Sequence, residues 1–461
     1  MLSSDHELKA LTSEAAQSAD PHRTQHIVLG AGVLDSVPAW VTAQRPDATD
    51  IVVADANTFE VAGRDVLERL TQAGRRARAL VIDPEHGQET VCCDDEAVAS
   101  LRTFLASAPN LNAIAVGAGT INDIVKTATH ALDRDYQVVP TAASMNGYTS
   151  SISAVLSQGV KRTRPTHQPV AVFADVDIIR AAPPVMNQAG FGDLLSKPFS
   201  QSDWLLSHLL RGVPYDDQAA RLLDGPWRAM LTRAEGMGTG DAPAIIALLE
   251  TLLISGFSMA VAGTSAPASG AEHLISHYWD MEQHCQHDAV LALHGTQVGI
   301  GTLVSAFTLN RLIKLKPSQL FDAAERAKSA EPPRPWTRET LKPLHPKLTD
   351  PVLEELAVQI NKKTLSQAER YEELRMLAET WPETQRQLAA VVLPESEMKE
   401  ALKVAGCVRT ARALGVSPKA FIQTITYCRH IRSRFVNFDL AATLGLLPMW
   451  AEQAAAWIEG D

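Results

Sequence analysis

The stretch Leu111-Asn112-Ala113-Ile114-Ala115-Val116-Gly117-Ala118-Gly119-Thr120-Ile121-Asn122-Asp123 decides the fold. Its first half is a short apolar run, which reads as a buried strand. Its second half is a glycine-punctuated turn that opens into a helix. A strand that feeds a helix through such a turn is half of a βαβ unit. The pattern recurs on both sides. His26–Gly30, Ile51–Asp55, Ala79–Ile82, Val138–Pro140 and Val170–Phe173 are further short apolar runs, and Thr58–Ala73 and Asp95–Ala108 carry helical patterns between them. Near-continuous apolar strands separated by helices imply a parallel sheet covered on both faces. In such sheets ligands bind beyond the carboxyl ends of the strands.

Past residue 184 the strand-like runs give way to helical periodicity. Ala244–Ala262 and Gly295–Leu315 are apolar enough to be buried helices, and Met398–Ile458 reads as a helical bundle. The proline- and charge-rich stretch Lys316–Asp350 reads as an exposed excursion between helices. The expected architecture is an α/β, Rossmann-like dinucleotide-binding domain over residues 1–184 and an all-α metal and substrate domain over 185–461. Residues 1–22 are polar and read as a flexible leader.

Composition narrows the function classes. The chain has 461 residues, 46% of them apolar, and a formal charge of −11. A nucleic-acid binder shows a basic footprint. The main basic run here, Lys161-Arg162-Thr163-Arg164, is short and reads as a solvated loop. The five cysteines form no CxxC pair and imply free thiols in a reducing compartment. The amino-terminal residues hold no apolar signal segment, and no run of 18 apolar residues occurs, so neither secretion nor a membrane span is expected. A cytoplasmic protein is the resulting expectation. A homodimer or higher homo-oligomer follows from the commonness of closed symmetric assemblies.

Four motifs carry chemistry. In Gly117–Asp123 the glycines let backbone N–H groups approach a phosphate, and the following helix terminus adds positive potential. A plain turn fits the same residues, and the third glycine of a GxGxxG fingerprint is missing. Asp55 ends the second strand, where an acid can accept a ribose diol or simply cap a helix. The loop Pro140–Ser151, PTAASMNGYTSS, is dense in small hydroxyls and amides, including Thr141, Ser144, Asn146 and Ser150. These suit a nicotinamide ribose and substrate hydroxyls, and equally a solvated turn. The fourth motif is dispersed: Asp193 in GFGDLLSK, His273 and His277 four apart in SGAEHLISH, and His294 in LHG. One carboxylate and two imidazoles make a site for a divalent Zn, Ni or Fe ion with positions left for substrate. Separate structural histidines remain the other reading. His284 and His287 flank Cys285 with no further partner set and read as a polar helix face.

Taken in order, these motifs resemble the glycerol-1-phosphate dehydrogenase family, particularly its bacterial branch, within the superfamily of iron-containing alcohol dehydrogenases and dehydroquinate synthases. The resemblance covers most of the chain: GAGTIND, PTAASMNGYTSS, GFGDLLSK, SGAEHLISH, LHGTQVGIGTL (Leu293–Leu303) and HIRSRF…DLAATLGLL (His430–Leu447). It implies a metal held by Asp193, His273 and His294. His277, one helical turn beyond His273 on the same face, is a candidate proton carrier or support behind the ligands, and equally a packed helix histidine. It implies NAD(P) bound at Gly117, Gly119, Thr120 and Asp123, with Thr141 and Ser144 on the cofactor and Asp55 on the adenosine ribose. The substrate would be a phosphorylated triose or glycerol, dihydroxyacetone phosphate or glycerol 1-phosphate. Asn146 and Ser150 would touch it, and Lys197 or Lys161 would take its phosphate. Asn146 departs from the family, which usually has aspartate there. An unphosphorylated polyol substrate and a non-catalytic sugar-phosphate sensor are the alternatives.

Overall fold

The computed structural model describes residues 22–84, 90–157, 160–287 and 290–460. The leader expected over residues 1–22 lies outside these, apart from His22. That imidazole is held between Asp133 and Asp135 at 2.9 and 2.6 Å. The chain divides into two compact units: the described residues up to Leu194 with Gln218–Ser265, and Leu195–Asp217 with Ala266–Asp461.

The first unit is built on a six-stranded sheet. Its strands are β1 (His26–Gly30), β2 (Thr49–Asp55), β3 (Arg76–Ile82), β4 (Leu111–Gly117), β5 (Tyr136–Pro140) and β8 (Ala171–Asp175). All pair in parallel, in the order β1-β8-β5-β4-β2-β3. Central β4, β5 and β8 are buried along their whole length, while edge strands β1 and β3 are partly exposed. Burial on both faces is why the central strands read as nearly continuous apolar runs, broken where Asn112 of β4 donates to Gln137 of β5. Val53 pairs with Ala115 and Gly117 with Pro140, so Asp55, Gly117 and Pro140 end level along the carboxyl edge. The helices α1 (Arg64–Gln72), α2 (Asp95–Ala106) and α3 (Gly119–His130) fall in the connections between strands.

One element departs from expectation. Residues 152–165 form an antiparallel hairpin of β6 (Ile152–Ser157) and β7 (Val160–Pro165), so Lys161–Arg164 is strand where the sequence reads as a solvated loop. The charges hide the strand because β7 is half exposed. The alternation of buried Ser153, Val155 and Ser157 in β6 is the visible trace of the pairing.

The unit also contains α4 (Pro184–Leu195) and, after Leu195–Asp217 has passed through the other unit, α6 (Ala242–Ala262). Helix α6 is long and apolar enough to cross a membrane, but 78% of its apolar window is buried within the chain, as befits a core helix. At Gly256 an added Cβ would lie 2.1 Å from Thr149 Oγ1, which donates to Leu253 O.

The second unit is helical throughout its described residues. Helices α5 (Lys197–Arg211), α7 (Ala271–His287) and α8 (His294–Leu312) form its centre. Gly301 of α8 lies so close to α7 that a Cβ would sit 2.4 Å from Glu272 O. The stretch Lys316–Asp350 is not simply an exposed excursion. Pro317–Ser329 is a helix that buries Leu320, Ala323, Ala324 and Ala327, and Leu341, His345 and Leu348 are core residues. Most of the stretch is nevertheless exposed, and its proline-rich middle, residues 331–340, contains no buried residue. Prolines at a helix start are compatible with helix, which is what the composition masks.

Candidate active site

The site grows from close approaches that only glycine permits. In α4 a Cβ on Gly190 would fall 1.8 Å from Ala143 O, so the loop after β5 rests directly on this helix. Asn187, on the preceding turn, accepts the Ala143 N–H at 3.1 Å. Asp193 follows Gly190 by three residues and therefore lies on the same face. The loop residue Asn146 reaches it twice. Its backbone N–H donates to Oδ2 and its Nδ2 to Oδ1, both at 3.3 Å. Asp193 is fully buried, and these bonds hold both of its oxygens.

Asp193, His273 and His294 each offer a ligand atom, and these atoms lie within 4.8 Å of one another. The imidazoles are held from behind. Glu272 Oε1 stands 2.9 Å from His273 Nδ1, and Ser276 Oγ stands 2.9 Å from His294 Nδ1. A carboxylate on Nδ1 places the ring proton there and directs the Nε2 lone pair the other way. One anion and two oriented imidazoles are a donor set that fits a divalent transition metal. His277 is one turn along α7. Its ring is 6.1 Å from that of His273 and 5.6 Å from that of His294.

The glycine turn stands at the carboxyl end of β4. A Cβ on Gly117 would meet Ile121 Cβ at 2.7 Å, and one on Gly119 would meet Met145 Cγ at 2.9 Å. The turn is thus closed tightly against its own helix and against the Pro140–Ser151 loop. Asn122 occupies the place of the absent third glycine. It is buried and accepts the Tyr136 hydroxyl at 3.1 Å. Thr120 makes no side-chain hydrogen bond to the described residues. Thr141 is buried and donates its N–H to Gly117 O at 3.2 Å, while Ser144 bonds the Tyr148 side chain. Asp55 caps the helix after β2, its Oδ1 accepting Thr58 N at 2.8 Å.

Three residues expected at ligands have partners within the chain. Asp123 accepts the Ala154 N–H at 3.1 Å and so fastens α3 to β6; burial raises its pKa. Lys197 is buried and donates to Ser196 Oγ and Ala268 O at 3.1 and 3.0 Å. Ser150 is buried and accepts from Lys126 at 3.2 Å.

Lys126 is the residue that sequence reasoning misses. Its side chain is entirely buried, and its ammonium donates to Gly147 O (2.6 Å), Ile152 O (3.1 Å) and Ser150 Oγ. Burial lowers its pKa to about 8, against the attraction of Asp123 at 3.8 Å. The sequence gives little signal for it, because its neighbours one turn away, Asn122, Asp123, Thr129 and His130, are polar too. The face reads as solvated, although Asn122 and Thr129 are buried with it.

Comparisons with known proteins agree with this geometry. Residues 28–183 match the family described as iron-containing alcohol dehydrogenase. The glycerol-1-phosphate dehydrogenase (NAD(P)+) of Bacillus subtilis (strain 168) is 36% identical over 298 residues, which cover 65% of this chain and 75% of that protein. The protein of the same name from Pyrococcus furiosus is 32% identical over 61% of this chain and 78% of its own. Among solved structures, a glycerol dehydrogenase from Schizosaccharomyces pombe superposes with a TM-score of 0.57 at 18% identity, covering 95% of this chain and 93% of that one. Identity of this extent over most of both sequences, carried by the same fold, shows that the chain belongs to the iron-containing alcohol dehydrogenase family, among its glycerol-1-phosphate dehydrogenases.

Proposed function

We propose that the chain is a metal-dependent, NAD(P)-linked dehydrogenase that interconverts dihydroxyacetone phosphate and sn-glycerol 1-phosphate. The observation that carries this reading is the convergence of Asp193, His273 and His294, each ligand backed by a hydrogen bond from its own neighbourhood. The names of the relatives support the substrate. When bound, a divalent cation supplies Lewis-acid polarisation of the ketone, and the nicotinamide supplies the hydride.

The remaining work belongs to the chain. Asn146 fixes the Asp193 carboxylate, and Glu272 and Ser276 fix the two rings. His277 carries the proton for the alkoxide. The Arg432 guanidinium stands 3.1 Å from its Nδ1, and a guanidinium can only donate, so the proton of the neutral ring resides on Nε2. Gly117, Gly119 and Thr120 cradle the cofactor phosphates at the start of α3, with Thr141 and Ser144 beside them. The second oxygen of Asp55 takes the adenosine ribose, which favours NAD over its 2′-phosphorylated counterpart. Asp123, Ser150 and Lys126 hold that loop in place. The five free thiols accord with a cytoplasmic protein.

An unphosphorylated polyol is the second reading, favoured by the burial of Lys197 among its own backbone acceptors. The test is NADH oxidation by chelator-stripped protein with and without added Zn2+ or Ni2+. Metal-restored turnover of dihydroxyacetone phosphate, with none on dihydroxyacetone, is expected. Turnover of the unphosphorylated ketone alone overturns the proposal.

A further inference from the structure

A phosphorylated substrate needs a cation near the ligand histidines, and Lys197 does not supply it. The short segment after Ile431 brings two guanidiniums there. Arg432 is extended (φ −142°, ψ 150°) and points its guanidinium at His277 Nδ1. Two residues on, Arg434 donates to Ser269 O, the residue that opens the SGAEHLISH motif. Ser433 between them is exposed, whereas both arginines are half-buried. Burial lowers the Arg432 pKa to about 10, and the nearby Arg434 charge adds to the effect. Arg434 is steadied by Glu272 and Asp203, the acids that raise its pKa against burial.

We infer that Arg432, with Arg434 behind it, forms an anion subsite that receives the phosphomonoester end of the substrate. The inference rests on the proposed dehydrogenase reading and deepens it. Through His277 the guanidinium of Arg432 lies one ring beyond His294, whose ring is 5.6 Å from that of His277. A ligand whose oxygens meet the histidines at one end can thus reach the arginine at the other. Arginine suits this end because its planar fork matches two phosphate oxygens at once. A dianion there offsets the repulsion between two half-buried cations. The subsite also ties specificity to proton transfer, because the guanidinium that meets the phosphate is the one that sets the tautomer of His277.

The experiment is calorimetric titration of the metal-loaded chain with inorganic phosphate, for the wild type, Arg432→Met and Arg432→Lys. Loss of a charged bidentate contact weakens binding by about tenfold or more. Arg432→Met should show that loss with metal content unchanged, and Arg432→Lys should recover part of it. In parallel, KM for dihydroxyacetone phosphate should rise more than kcat falls. Phosphate affinity that is undetectable in the wild type, or equal in wild type and Arg432→Met, overturns the subsite. If Arg432→Met does not fold, equal affinity in wild type and Arg432→Lys, which lacks the fork, overturns it instead. Arg432-dependent phosphate binding in a protein that does not oxidise NADH with dihydroxyacetone phosphate would leave the subsite standing and sink the dehydrogenase reading.

Discussion

Replacing Lys126 with methionine tests whether a buried ammonium holds the loop that carries Asn146. The side chain has no solvent exposure, and burial takes its pKa from the ordinary 10.5 to about 8. A drop of that size corresponds to about 3 kcal/mol between the two protonation states. A lysine whose folded pKa lies below its unfolded one binds fewer protons when folded, in the window between the two values. Its contribution to stability is therefore least favourable below pH 8 and improves as pH rises toward 10.5. Other groups oppose this trend. Burial pushes the thiols of Cys93, Cys407 and Cys428 up, so their ionisation above the ordinary value favours the unfolded chain. The readout is accordingly a difference: urea midpoints of wild type and Lys126→Met across pH 7.5 to 10.5. The wild type should gain on the variant by up to about 3 kcal/mol over that range. A difference that stays flat with pH would refute the reasoning. Activity should move independently of this. Without three donors into Gly147, Ser150 and Ile152, Asn146 loses its support, and kcat/KM should fall by about tenfold or more.

Asp193→Asn should leave the folded chain unable to retain a divalent metal through dialysis, as measured by elemental analysis; one metal per chain in that variant would sink the ligand assignment. Asn146→Ala removes the Nδ2 donor to Asp193 and should weaken metal affinity by about tenfold, read by competition with a chelating dye, whereas unchanged affinity would mean that the backbone donor suffices. Gly190→Ala places a Cβ 1.8 Å from a carbonyl oxygen that cannot swing aside, so a loss of about 3 kcal/mol in urea unfolding is expected. A neutral result there would show that the loop does not rest on α4 as described.

What was legible in the sequence and what was not divide along physical lines. The strands β2, β4, β5 and β8 are readable because a strand buried on both faces is apolar at nearly every position. The buried exceptions inside β2, β4 and β5, which are Asp50, Asn112 and Gln137, bond one another across the sheet. The hairpin is unreadable for the converse reason. Half of β7 faces water, and its charges look like a loop until β6 is set against it. Asp193, His273 and His294 are invisible as a group from spacing, since 80 and 21 residues separate them in turn; only the order of several motifs joins them. The supports of the site are harder still. The acceptors of Lys126 lie 21 to 26 residues downstream, and Arg432 meets His277 from 155 residues away. A buried polar residue must have partners, but on a face as polar as that of Lys126 the sequence shows neither the burial nor where the partners lie. Gly190 is the instructive intermediate. Its presence in a helix costs stability relative to alanine, and the sequence alone shows the cost. The compensation, a carbonyl of another segment seated where a side chain would be, is what brings Asn146 to Asp193. A glycine three residues before an acid in an otherwise good helix is therefore a sign that something must approach that acid closely, and here the approaching group is the one that orients it.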